Sequence, residues 1–221
     1  MPATSERAND RFETQRTSGL IRFGFWFCVV IAVVVVVRRL FALASPAQSG
    51  PPEMVAMDAV FAGHAGLTLA HIVPAMLFVL VAPLALWHKT RGKGWVQGLF
   101  YVLGTWTGLT AYAMSTYSIG GWIERSAVFC FDTLFLFALI RSFLLRGEPA
   151  AQWVWMIRAV GILLGIATTR PVMGIFFATS QLTHMRPNQF FGIAFWIGFA
   201  INLTVVELWL WHLKSQPRQL G

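Results

Sequence analysis

Apolar stretches long enough to cross a lipid bilayer recur along the whole chain. The first covers residues 21–43, and the others cover 57–87, 95–117, 122–145, 151–183 and 190–212. A spanning helix needs roughly 20 apolar residues, because its backbone must satisfy its own hydrogen bonds in hydrocarbon. The pattern predicts an all-α fold, a polytopic membrane helical bundle with six transmembrane helices. Five spans, if the first is cleaved, and seven spans are the alternatives.

Charge is scarce for a chain of 221 residues. Only 12% of the residues are charged and 57% are hydrophobic, at a mean hydropathy of +0.63, whereas a soluble domain carries about 25% charged residues. Lys and Arg outnumber Asp and Glu by 17 to 9, but so apolar a chain cannot present a solvated nucleic-acid-binding face or remain disordered throughout. The composition therefore excludes nucleic acid as a partner and makes the lipid bilayer the expected surroundings.

The basic residues give the expected orientation, since Lys and Arg collect on the cytoplasmic side of short loops. They are dense before the first apolar stretch, in the loop at 88–94 and around 141–146. We therefore expect a bacterial inner-membrane protein with both the N- and C-termini cytoplasmic. Residues 1–19 are polar and without apolar periodicity, which predicts a disordered cytoplasmic tail, followed by one bundle over 20–214 and a short tail over 215–221.

Two local signals qualify the span count. Ala42-Leu43-Ala44 resembles a signal-peptidase site, but the charged pair Arg38-Arg39 and the long leading tail favour an uncleaved anchor. The stretch 151–183 is too long for one untilted span, and it contains Arg170-Pro171. Because proline removes a backbone donor, we expect the fifth helix to be kinked at Arg170-Pro171.

Glycines four residues apart predict close packing between helices. The pairs are Gly94 with Gly98, Gly104 with Gly108, and Gly161 with Gly165. Small residues at this spacing let helix backbones approach each other in lipid. We expect these faces to pack within the chain, with a homo-oligomer or a membrane-complex partner as the alternative.

Five ionisable residues are predicted to lie at membrane depth, where insertion of a charge costs roughly 2.5–3.5 kcal/mol. His71 falls near the middle of the second span, Asp132 ten residues from the outer end of the fourth, and Arg170 in the outer half of the fifth, so the three could meet around the midplane or just outside it. Arg158 and Glu207 share a depth nearer the cytoplasmic side. One interpretation is that both groups are structural pairs, with Arg170 neutralising Asp132 and His71 hydrogen-bonded to either. The other is that His71, Asp132 and Arg170 line a small polar cavity for a proton, a small anionic or lipid-like ligand, or the edge of a cofactor.

A haem or a quinone is the cofactor alternative. His64 and His71 lie two helical turns apart and cannot chelate one metal ion together, and only His184 is level enough with His64 to complete a pair of haem ligands. Cys28 and Cys130 are expected to be free thiols, so no metal site is predicted. No spacing typical of a zinc site, a phosphate-binding loop or a nucleophile elbow occurs, which disfavours an enzyme and leaves no catalytic residue to name.

A combination of short motifs resembles a known family over about residues 60–210. They are Trp155-Met156-Ile157-Arg158, the later Arg170, Trp196, Asn202-Leu203 with Glu207, and Gly98 with Tyr101-Val102. Together they are similar to the bacterial multi-pass membrane family catalogued as domain of unknown function 2306. The resemblance implies a helical bundle in a bacterial inner membrane, with His71, Arg158, Arg170, Asn202 and Glu207 as the positions of interest.

The chain departs from that family pattern at two sites. Gly94 and Trp95 stand where the family usually has a His-Arg pair, and Gln152 stands where it usually has a histidine. The function expected from the sequence is therefore a non-catalytic binding or transport protein. A haem- or quinone-binding redox protein and an accessory subunit of a membrane complex are its rivals.

Overall fold

The computed structural model describes residues 3–45, 52–90, 92–183 and 187–215. In these ranges every regular element is an α-helix, which confirms the all-α class. Of the C-terminal tail predicted over 215–221, Ser215 is the last residue of α8, and residues 216–221 lie outside the described residues. The helices are α1 (Ala3–Ala44), α2 (Pro52–Gly63), α3 (Ala65–Leu86), α4 (Gly94–Ser115), α5 (Gly121–Leu144), α6 (Pro149–Leu163), α7 (Gly165–Thr183) and α8 (Pro187–Ser215).

Five helical segments among the described residues are long and apolar enough to cross a membrane. They are Gly19–Ala44, Ala65–Leu86, Gly121–Leu144, Pro149–Thr179 and Gln189–Ser215. The sixth predicted span corresponds to α4, which has 22 residues but too many glycine and threonine residues to join them. Gly104, Thr107 and Gly108 are buried, so part of this weakly apolar composition lies inside the bundle.

The helices pack as one bundle in which neighbours in sequence are neighbours in space. α3 packs on α4, α5 packs on α4, α6 and α8, α7 packs on α8, and α1 lies against α3 and α7. Phe78, Phe100 and Phe135 are fully buried where α3, α4 and α5 meet. The ring of Phe78 lies 4.8 Å from that of Phe100 and 5.7 Å from that of Phe135, centroid to centroid. Such aromatic pairs add to the packing that drives association in lipid.

Several glycines mark the closest approaches between helices. A Cβ atom on Gly198 would lie 2.6 Å from the backbone nitrogen of Thr169, which brings α7 and α8 almost into backbone contact. Gly104 has Leu139 and Phe78 at 2.8 Å from the same position. Gly94 and Gly98, in contrast, face open space. The expectation of packing within the chain was wrong for that pair, because both lie on a face of α4 that no other described helix covers.

The long helix of 149–183 is interrupted earlier than the sequence suggested. α6 ends at Leu163, Leu164 is a turn residue, and Pro171 lies inside α7. The helix is thus interrupted at Leu164, which the sequence did not predict, and the kink expected at Arg170-Pro171 stays a prediction. At this interruption Gly165 lies so close to Phe199 that the chain passes α8 without room for a side chain.

Two other boundaries differ from expectation. The predicted second span is divided at His64, whose φ of −126° and ψ of 40° separate α2 from α3. α1 begins at Ala3, so its backbone is helical through the segment expected to be an unstructured tail. The separation at His64 leaves α2 as a short helix packed against α1 and α3.

Candidate functional site

A cavity of about 230 Å³ lies inside the bundle. Its lining includes Arg39 from α1, His71 from α3, Thr107 from α4, Asp132 from α5 and Arg170 from α7. α2, α6 and α8 add only apolar side chains, which are Phe61, Ile162, Leu163, Phe191, Phe195 and Phe199. The cavity is therefore a largely apolar chamber into which a few polar side chains project from different helices.

Three buried side-chain atoms in the described part of the chain have no hydrogen-bond partner. They are Thr107 Oγ1, Asp132 Oδ2 and Arg170 Nε. All three belong to residues that line this one cavity. Buried polar atoms in proteins are nearly always hydrogen-bonded, so each exception needs an explanation such as an unobserved water or ligand. Here the three exceptions have one location in common.

The three midplane residues expected to meet, His71, Asp132 and Arg170, all face this cavity. The contacts expected between them are not formed. Arg170 and Asp132 are not among the ion pairs found in the described ranges, and Arg170 Nη1 instead lies 3.8 Å from the sulfur of Met173. The three residues share a chamber without neutralising one another, because the chamber itself lies between their helices.

His71 is held by a threonine of the neighbouring helix. Its Nδ1 lies 3.0 Å from Thr110 Oγ1, and that hydroxyl donates to the backbone oxygens of Trp106 at 2.8 Å and Thr107 at 3.1 Å. Since the hydroxyl has one proton and gives it to the backbone, Nδ1 of His71 must be the donor to Oγ1. This bond fixes the orientation of the imidazole beside the cavity.

Residues of α1 and α2 meet at one part of the cavity wall, which we call the Arg39 end. Arg39 pairs with Asp58 and lies 4.0 Å above the centre of the Phe61 ring, while Arg38 Nη2 lies 3.2 Å from Asp58 Oδ2. The ring of His64 stacks on Tyr117 at 3.5 Å. Arg39, Phe61 and Tyr117 all line the cavity, so the contacts that hold α2 in place involve residues of this part of the cavity wall.

Sequence reasoning did not identify the second carboxylate of the cavity. Glu124 is buried, and its Oε2 accepts a hydrogen bond of 2.6 Å from the backbone nitrogen of Gly120. A carboxylate in the first turn of a helix interacts favourably with the helix dipole. The available signal was an acidic residue just after the Gly120-Gly121 turn, which is typical of a helix start rather than of a cavity.

The second predicted group lies outside the cavity and is fully paired. Arg158 Nε donates to Glu207 Oε1 at 2.6 Å, and Nη2 donates to Oε2 at 2.9 Å. The guanidinium also lies 4.5 Å from the Trp155 ring. A bidentate pair of this kind joins α6 to α8 and fixes their relative depth.

Asn202 supports the interruption at Leu164. Its Nδ2 donates to the backbone oxygen of Gly161 at 3.2 Å, and its Oδ1 accepts from Thr168 Oγ1 at 2.7 Å. Cys28 Sγ lies 3.7 Å from the same threonine hydroxyl. The amide of Asn202 thus links the two halves of the interrupted helix to α8.

The residues considered as haem ligands are placed as follows. His64 stacks on Tyr117 and its Nδ1 lies 3.2 Å from the backbone oxygen of Val60, and His71 is bound to Thr110. His184 lies outside the described residues, so its pairing with His64 stays a prediction. In the described ranges no three His, Cys, Asp or Glu side chains come close enough to hold a metal ion.

Comparisons with family models, with curated proteins and with solved structures give no match for this chain. The resemblance to the bacterial multi-pass family stays a prediction from the sequence motifs.

Proposed function

We propose that this is an integral membrane protein of the binding or transport type, which takes a small molecule into the cavity between its helices. The observation that carries the proposal is the common location of Thr107 Oγ1, Asp132 Oδ2 and Arg170 Nε, the buried atoms without partners in the described ranges. A ligand with complementary polar atoms would satisfy all three.

Energetics favour a ligand over an empty cavity. Breaking or omitting one half of a buried charge pair costs about 3–5 kcal/mol, since the remaining charge is left uncompensated. Arg170 stands in this situation, and Asp132 does so whenever its carboxyl group is ionised; each lies among apolar side chains. Two ionisable side chains in so apolar a cavity support a purpose beyond packing, because a purely structural pair would be in contact as Arg158 and Glu207 are.

The size of the cavity supports a small ligand. An engineered apolar cavity of about 150 Å³ binds benzene, and the present one measures about 230 Å³. A molecule somewhat larger than one aromatic ring would fill it. Phe131 and Phe135 on α5 and Phe195 on α8 provide apolar walls for the body of such a molecule.

We also propose a location and orientation. The six crossings, counting α4, would place both termini on the cytoplasmic side of a bacterial inner membrane. The loop 87–93 contains Lys89 and Lys93, and the loop 145–148 contains Arg146 and follows Arg141. Membership of the bacterial family catalogued as domain of unknown function 2306 is part of the same proposal.

The test is to look for a resident small molecule and to block its site. The full chain is purified in mild detergent and analysed by native mass spectrometry, and the same sample is extracted for small molecules, lipids and quinones and scanned for visible absorbance. Ala111→Phe fills the cavity, since Ala111 lines it, whereas Ala113→Phe is the matched control because Ala113 faces outward on the same helix.

We expect a bound species in the wild type and in Ala113→Phe, and its loss in Ala111→Phe. An equal yield of the species from both variants would contradict the proposal, because the species would then occupy another site. A Soret band or an extracted quinone that disappears with Ala111→Phe would identify the redox alternative. A partner protein that copurifies with both variants, with no small molecule, would identify an accessory subunit.

A further inference from the structure

Two ionisable side chains of opposite sign face the cavity, and neither forms an ion pair with a described residue. Arg170 Nε and Asp132 Oδ2 are both buried and without a hydrogen-bond partner in the described residues, and they form no ion pair with each other. We infer that the ligand is a small zwitterion, whose anionic group binds Arg170 and whose cationic group binds Asp132. The inference rests on the proposed function, since it concerns the same cavity.

The other charges at the cavity do not replace this ligand. Arg39 is already paired with Asp58, and Glu124 accepts the backbone hydrogen of Gly120 at the start of α5. Arg170 experiences the positive charges of Arg38 and Arg39 as well as the negative charge of Glu124. Repulsion from two guanidinium groups therefore opposes the attraction of one carboxylate, and an anion bound beside Arg170 would still be stabilised.

Ligands with one sign of charge satisfy only half of the site. A simple anion would neutralise Arg170 but would bring a third negative group near Asp132 and Glu124. A simple cation would neutralise Asp132 and be repelled by Arg170. A neutral molecule would leave both charges uncompensated in a medium where each needs a partner. A zwitterion supplies both counter-charges without changing the net charge of the cavity.

The remaining features fit the body of such a molecule. Thr107 Oγ1 provides a further donor or acceptor near the polar groups. The rings of Phe131 and Phe135 are part of the lining, and aromatic faces attract ammonium groups as well as apolar chains. Free amino carboxylates have this chemistry, and so does the head group of a phospholipid such as phosphatidylethanolamine.

The experiment compares zwitterions with singly charged analogues of matched length. The purified full chain is placed in phosphatidylglycerol nanodiscs, and binding is measured by calorimetry for glycine, β-alanine, γ-aminobutyrate and ε-aminocaproate. Caproate keeps only the carboxylate of ε-aminocaproate, and hexylamine keeps only its ammonium group. Because the separation of the two charges varies along the series, the best member reports the spacing that the site accepts.

We expect at least one zwitterion to bind about tenfold more tightly than caproate and hexylamine, a difference of about 1.4 kcal/mol. Asp132→Asn should abolish the advantage over caproate, and Arg170→Gln should abolish the advantage over hexylamine. Thr107→Val, which keeps the shape of the side chain and both charges, should weaken the best zwitterion several-fold. Arg146→Gln is the control, because Arg146 is exposed and outside the cavity.

Two results would overturn the inference. One is binding of caproate or hexylamine as tight as that of every zwitterion, and the other is unchanged zwitterion affinity in well-folded Asp132→Asn and Thr107→Val. The comparison among probes on the wild type does not depend on the folding of any variant. If adding phosphatidylethanolamine to the nanodisc abolishes binding of the soluble zwitterions, the ligand of the cavity is the phospholipid head group rather than a free amino carboxylate.

Failure of this inference is distinguishable from failure of the proposed function. If no zwitterion binds but a copurified species is lost in Ala111→Phe, the cavity holds a ligand of another class. If no probe binds and no species is lost in Ala111→Phe, both proposals are wrong.

Discussion

Arg158 on α6 and Glu207 on α8 meet with two donor nitrogens opposite two carboxylate oxygens, at 2.6 and 2.9 Å. Arg158 is 19% exposed and Glu207 is 43% exposed. The pair therefore stands between an exposed ion pair, which contributes about 0–1 kcal/mol, and a buried one, whose disruption costs about 3–5 kcal/mol.

Removing one partner of this pair should lower stability by an amount between those limits. We expect Glu207→Gln to lower the melting temperature in detergent, and Arg158→Lys to lower it less, because lysine keeps the charge but not the two parallel bonds. Thermal unfolding followed by size-exclusion chromatography measures both. Glu148→Gln is the control at an exposed position, and an equal loss of stability there would show that the effect is not specific to the pair.

Alanine at two glycines should have opposite effects. A Cβ on Gly198 would lie 2.6 Å from the backbone of Thr169, whereas a Cβ on Gly174 would meet nothing within 4 Å. We expect Gly198→Ala to destabilise the protein by about 1–3 kcal/mol through overpacking. Gly174→Ala should be neutral or stabilising by up to about 1 kcal/mol, because alanine favours the helix. Equal melting temperatures for the two variants would contradict the close approach of α7 and α8.

Loosening α2 should open the Arg39 end of the cavity. Asp58 holds both Arg38 and Arg39, so Asp58→Asn removes the charge that seats α2. With a cysteine at Ala75, which lines the cavity, we expect modification by a small methanethiosulfonate reagent to become several-fold faster in Asp58→Asn. A rate that does not change, or one that rises equally in Glu148→Gln, would mean that α2 does not control access.

The proposed orientation predicts which loops are reached from outside the cell. A cysteine at Thr116, between α4 and α5, should react with a membrane-impermeant maleimide on intact cells. A cysteine at Gly147, between α5 and α6, should react only after permeabilisation. Both positions are exposed, so accessibility within the fold does not favour either. The reverse pattern would overturn the placement of both termini in the cytoplasm.

The sequence predicted the depth of a residue along its helix better than it predicted which residues of other helices lie beside it. Counting helical rise from each end put Arg158 and Glu207 at the same level, and those two side chains touch in the structure. The same arithmetic put His71, Asp132 and Arg170 near one depth, and all three line one cavity. Rise along an axis carries no information about the distance between helices, so the expected contact between Asp132 and Arg170 could not be judged.

The interruptions at His64 and Leu164 had weaker signals. Neither residue is a proline or a glycine, and the cause at Leu164 lies partly in Gly165 and in the α8 residues that pack on it. A contact between helices distant in sequence cannot be read from one segment. Glu124 was missed for a related reason, because an acidic residue at a helix start has an ordinary local explanation.

The position of Asp132 and Arg170 also constrains how the chain is made. In the proposed membrane topology, α5 brings Asp132 into the bilayer before α7 brings Arg170, each at a cost of roughly 2.5–3.5 kcal/mol for a charged side chain. α1, α3 and α4, which supply more of the cavity lining than α7 and α8 do, emerge from the ribosome before α5. Most of the wall around Asp132 has therefore been synthesised when α5 emerges, whereas Arg170 is added only when α7 has been translated.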